Sequence, residues 1–113
     1  MPHLILEYSA NMAEAMEMAE VTALGHRVMK ESGLFSPNAI KSRSHKAEQS
    51  LVGTEDEAGK FFHALVYLME GRSLEQKQAL AEALMDAFQE IVPPQASLTV
   101  DVRELEKAVY RKR

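Results

Sequence analysis

The sequence predicts an α+β (α/β) fold: two consecutive βαβ units forming a four-stranded sheet with two helices on one face. Three observations predict it. Short apolar runs open two segments, residues 2–9 and 61–70. Each is followed by a helix-start signature and by apolar residues at helical spacing. Each helical stretch then gives way to an alternating stretch, at about 38–47 and at 97–104. The chain therefore reads as one domain, 1–113, with an internal repeat over about 2–47 and about 61–105.

Leu4, Ile5, Leu6 and Tyr8 make the first strand, and Ser9 to Asn11 punctuate it. Asn11 and Glu14 have capping-box spacing and predict a helix from there, with Met12, Met16, Ala19 and Ala23 on its apolar face and Leu24 and Val28 beside them. Gly33 is its stop. The second strand sets Lys41, Arg43 and His45 on one face against Ile40, Ser42 and Ser44 on the other. Residues 48–60, with Gly53, Gly59 and the acids Glu55, Asp56 and Glu57, read as an exposed loop or hairpin.

The pattern restarts at Phe61. Gly71-Arg72 turns the chain, and Ser73 with Gln76 forms a second capping box. Leu80, Leu84, Phe88 and Ile91 line the second helix, which Pro93-Pro94 ends. The last strand alternates Leu98, Val100 and Val102 with Thr99, Asp101 and Arg103. Each βαβ crossover should join parallel strands. Two helices cover one face, yet Leu4-Ile5-Leu6 and the run from Ala64 to Leu68 are apolar at consecutive positions. Such strands are buried on both faces. The second face is therefore expected to be covered by other copies of the chain.

Composition narrows the function classes. With 46% hydrophobic and 27% charged residues the chain has the balance of a folded protein. Its net charge of −4 argues against nucleic acid as a partner, and Arg111-Lys112-Arg113 reads as a solvated tail. The absence of cysteine excludes disulfides, thiolate nucleophiles and Cys-based metal sites. No apolar stretch approaches the roughly 20 residues needed to cross a bilayer, and the amino terminus lacks a signal-peptide pattern. No membrane partner is expected, and the expected compartment is the cytoplasm.

Four residues could carry chemistry. Pro2 would become a terminal secondary amine if Met1 were removed. A neutral ring amine is a competent general base, and apolar surroundings disfavour its charged form. Equally, proline is at home as the first residue of a strand. Arg72 lies in a strand-to-helix turn, where a guanidinium can grip a carboxylate with two hydrogen bonds or simply fill the turn. Lys41 and Arg43, with His45, line an anion pocket or defend an edge strand. The four histidines show no metal-ligand spacing, and no metal site is expected. Ser-His-Asp order, phosphate-binding glycine loops and Walker patterns are all missing.

These motifs together resemble a known family. Met1-Pro2-His3 opening a strand, with Gly71-Arg72-Ser73-Leu74-Glu75, is similar to 5-carboxymethyl-2-hydroxymuconate isomerase of the tautomerase superfamily. Residues 68–73 with Glu75-Gln76-Lys77 resemble the first turn of 4-oxalocrotonate tautomerase, whose chain is one βαβ unit. Gly33-Leu34-Phe35 and residues 40–45 extend the similarity, which runs in one order from Pro2 to about Leu105.

The resemblance implies a homotrimer and an isomerase that needs neither metal nor organic cofactor. Pro2 would be the catalytic base, and Arg72, Lys41 and Arg43 would bind a small-molecule carboxylate substrate. The implied reaction moves a proton on an unsaturated 2-hydroxy or 2-oxo acid such as 5-carboxymethyl-2-hydroxymuconate, in the breakdown of aromatic compounds. Lys41 departs from the family pattern, which has arginine there, and lysine lacks the planar two-pronged grip. Two other readings use the same fold: a non-enzymatic oligomeric binding protein, and a decarboxylase or dehalogenase of the superfamily.

Overall fold

The structure is a computed structural model that describes residues 1–54 and 58–113. Its order is β1 (His3–Ser9), α1 (Met18–Glu31), β2 (Lys41–Ala47), β3 (Phe61–Met69), α2 (Leu74–Gln89) and β4 (Ser97–Leu105), with short 3-10 turns at Ala10–Glu14, Pro37–Ala39 and Lys107–Val109. The sheet runs β2-β1-β3-β4. β1 pairs in parallel with β2, and β3 with β4, so both βαβ units form as the sequence predicts. The units meet through an antiparallel β1–β3 pair, which sets His3 opposite Tyr67.

Even-numbered strand residues point into the core. Leu4, Leu6, Phe62, Ala64, Val66 and Leu68 are fully buried. Val21 and Met29 of α1 and Leu80, Leu84 and Phe88 of α2 close over them. Phe62 and Phe88 pack as a tilted pair, with centroids 4.9 Å apart.

The odd-numbered set lies on the other face. Ile5, Phe61, Leu65, Tyr67 and Met69 remain half-buried there. The sequence reading covers these strands on both faces. A single chain covers one, because both of its helices lie on the same side.

Three expectations along the chain are corrected. The helix expected from Asn11 starts later, because the Asn11 side chain is used elsewhere. Its Oδ1 accepts from the Ser9 hydroxyl (2.6 Å), and its Nδ2 donates to the Gly59 carbonyl (3.1 Å). A 3-10 turn forms instead, and α1 begins at Met18 without a side-chain cap. The buried face of α1 is Val21, Gly25 and Met29, while Ala19 and Ala23 are exposed. Ile91 lies past the end of α2 and is exposed, not on its core face. The proposed acidic cluster Glu55, Asp56 and Glu57 lies outside the described residues.

Candidate active site

The antiparallel β1–β3 pair brings the start of β1 beside the end of β3. Pro2 stands at the head of β1 with its ring fully buried, and its carbonyl accepts from the Lys41 amide at 3.1 Å. That bond extends the parallel ladder by one step and fixes Lys41 next to the terminus. Arg72 arrives from the turn after β3. Gly71 there has φ +117°, a conformation that a side chain would strain.

The Arg72 guanidinium is partly buried and already engaged. Its Nη2 donates to the Leu34 carbonyl at 2.8 Å and its Nη1 to that of Met69 at 3.4 Å. It also lies over the Phe35 ring, 5.1 Å from the centroid. These contacts hold its charge at the amino-terminal end of β1.

Burial lowers the pKa of the Met1 amine below the ordinary range, and the positive charges of Arg72, Lys41 and Lys112 lower it further. Pro2, Lys41 and Arg72 are therefore one neighbourhood. Arg43 joins it through His3: exposed on the open face, its Nη1 lies 3.2 Å from His3 Nδ1. The His3 pKa is lowered by burial, then by Arg43, Lys41 and the terminal amine. Lys41 itself donates to the Ala39 carbonyl at 3.2 Å.

The sequence reading missed His3, Tyr110 and Lys112. His3 Nε2 lies 3.4 Å from the Tyr110 hydroxyl. Nothing in local spacing foretells this, because the partners are 107 positions apart. Two clefts of ≈ 750 and ≈ 770 Å³ open elsewhere, one between α1 and the edge strand β2 and one beside residues 48–51. Neither is lined by Pro2, and only Arg43 of the four candidate residues lines either.

A mixed four-stranded sheet of two βαβ units, with two helices on one face, is the tautomerase-like fold. A solved 5-carboxymethyl-2-hydroxymuconate isomerase from Deinococcus radiodurans R1 shares it with a TM-score of 0.86 at 24% identity, over 99% of this chain and 88% of that one. A fused 4-OT, solved as a symmetric trimer, shares it at 0.74 and 11% identity, over 98% and 93%. A 5-carboxymethyl-2-hydroxymuconate Delta-isomerase of Escherichia coli is 32% identical over 88 residues, 76% of this chain and 68% of its own length. The chain belongs to the 5-carboxymethyl-2-hydroxymuconate isomerase family, whose model matches residues 2–113, and it is an isomerase.

Proposed function

We propose that the chain, after loss of Met1, is a cofactor-independent tautomerase whose terminal Pro2 nitrogen is the general base. Its substrate is an unsaturated 2-hydroxy or 2-oxo carboxylic acid such as 5-carboxymethyl-2-hydroxymuconate. The observation that carries this reading is the buried proline at the head of β1, with the charges of Arg72 and Lys41 acting on the terminal amine. The family match also begins at Pro2.

Desolvation and nearby cations both disfavour a protonated amine at this place, which favours the neutral form that a general base needs. From a 2-hydroxy dienol Pro2 takes the hydroxyl proton, and from a 2-oxo acid the proton on the carbon next to the carbonyl; either way a dienolate forms with its charge on that oxygen. Arg72, Lys41 and Arg43 hold the carboxylates and the developing enolate charge. One such preorganised donor can be worth roughly 3 kcal/mol. The protonated proline then returns its proton to a carbon farther along the conjugated system, and the oxygen is left as the carbonyl.

Half-buried Ile5, Leu65 and Tyr67 on the open face favour assembly with other copies, and the symmetric trimer of the fused 4-OT of the same fold supports three. A neighbouring copy would then cover that face and enclose Pro2.

The test compares two preparations, one with Met1 removed and one with it retained, each verified by mass spectrometry. The rate of ketonisation of 2-hydroxymuconate-type acids is measured by absorbance. The processed form should be faster by about 10²–10⁴, the range for positioned general bases. Equal rates would overturn the assignment of Pro2. Tight binding without turnover by the processed form would favour a binding protein instead.

A further inference from the structure

The tail beyond β4 returns to the amino-terminal end of the sheet. The Lys107 amide donates to Glu70 Oε1 at 2.8 Å, clipping the tail to the turn that carries Arg72. Glu104, at the end of β4, pairs with Lys77 of α2 at 3.2 Å. Tyr110 then reaches His3, and the charge of Lys112 is felt at the terminal amine. Of the three basic residues that read as a solvated end, Lys112 is thus led back toward Pro2.

The proton inventory at His3 gives Tyr110 a direction. A guanidinium only donates, so His3 Nδ1 accepts from Arg43. The neutral imidazole then carries its proton on Nε2 and donates it to the Tyr110 oxygen. The tyrosine hydrogen is left to serve another acceptor, and among the described residues it meets none.

Resting on the proposed role of Pro2, we infer that the tail forms the distal end of the substrate site. Tyr110 donates to, and Lys112 pairs with, the carboxylate of a diacid that lies farther from the reacting carbon. Arg72 and Lys41 serve the nearer one. Tyr110 and Lys112 are specificity-determining residues, and they favour dicarboxylates over monocarboxylates.

The test uses two dienol substrates, a 2-hydroxymuconate-type diacid and the same dienol with hydrogen in place of the distal carboxylate. KM and kcat are measured for the full-length processed protein and for Tyr110→Phe, Lys112→Ala and Lys112→Arg. Tyr110→Phe and Lys112→Ala should each raise KM for the diacid about tenfold or more, as loss of a charge-assisted hydrogen bond does. KM for the monoacid should move less than about twofold, and Lys112→Arg should recover most of the loss, since it keeps the charge.

Unchanged diacid KM, or equal losses on both substrates, overturns the inference while leaving Pro2 in place. Equal losses that accompany a lower mass in light scattering assign the tail to assembly and overturn it too. A wild-type protein that ketonises neither substrate removes the Pro2 reading, and this inference with it.

Discussion

Aligning the two βαβ units by strand register pairs Pro2 with Lys60. The Lys41 amide donates to the Pro2 carbonyl at 3.1 Å, and the Ser97 amide donates to the Lys60 carbonyl at 2.9 Å. The same alignment pairs Lys41 with Ser97, Arg43 with Thr99 and His45 with Asp101. The first unit presents two cations and a histidine where the second presents hydroxyls and an acid. Thr99 is engaged by His63 at 2.6 Å and Asp101 by Arg103 at 2.6 Å.

The two poles of the antiparallel β1–β3 pair differ in the same way. At one, the end of β3 delivers Arg72 to Pro2. At the other, the end of β1 delivers Ser9 and Asn11, which bind the Phe61 amide and the Gly59 carbonyl. Pseudo-symmetry builds two equivalent places. One is spent on a hydrogen-bonded latch, and the other keeps the buried Pro2 beside the charges of Arg72 and Lys41.

The sharpest way to break this comparison is to mutate both poles. Pro2→Ala in processed protein should lower kcat/KM by up to about 10²–10⁴, with some activity left to the primary amine. Lys60→Ala should leave kcat/KM within about twofold, because that pole is closed by the Ser9 and Asn11 hydrogen bonds. Matching losses at the two poles, read from steady-state kinetics, would mean that the asymmetry is not catalytic.

Two arginines that differ in burial come next. Arg72→Ala should raise the inhibition constant of a dicarboxylate by roughly 10–100-fold, and Arg72→Lys should recover part of it. Arg103→Ala should do little, because its partner is Asp101 and both lie at the surface.

Arg72→Ala has a pH signature as well. A nearby cation lowers the amine pKa, so removing it raises that pKa. The base works neutral, and its activity is lost as pH falls through the pKa. The acid limb of kcat/KM in the variant should therefore move to higher pH. A limb that stays in place would separate Arg72 from the base.

A smaller effect concerns how each helix meets the sheet. α2 packs Leu80, Leu84 and Phe88 inward, whereas α1 comes close through Gly25. A Cβ there would lie 2.7 Å from Leu4 Cδ2 and 3.0 Å from Phe88 Cζ. Gly25→Val should cost about 1–3 kcal/mol by overpacking, measured by denaturant unfolding at fixed protein concentration. A stabilised variant would show that the core yields at this contact.

Legibility in the sequence followed the range of the interactions. The second helix was readable because Ser73 and Gln76 cap it from within four residues. The first was misplaced because Asn11, which has the look of a cap, bonds across the sheet to Gly59. Its apolar face was misphased for the same reason, since Met12 and Met16 are buried ahead of α1 and not within it. Pro2 at a strand head and Arg72 in a turn are candidates that the resemblance singles out. His3, Tyr110 and Lys112 were not readable, because only the path of the tail brings them there.

The smallest expected effect isolates that difference between the helices. In α2 the Ser73 hydroxyl accepts from the Gln76 amide at 3.1 Å, and the Gln76 side chain accepts from the Ser73 amide at 2.9 Å. Both satisfy amides that the first helical turn leaves without partners. Ser73→Ala should therefore cost about 1 kcal/mol and lower the melting midpoint by about 4 °C. The corresponding position of α1 is Glu17, whose side chain caps nothing. Glu17→Ala should stay within about 0.5 kcal/mol. Because Ser73 adjoins Arg72, the diacid KM of Ser73→Ala is measured alongside. The backbone bonds of Arg72 to Leu34 and Met69 do not involve Ser73, so KM should hold. Equal costs for Ser73→Ala and Glu17→Ala would show that the cap is not what sets the two helix starts apart.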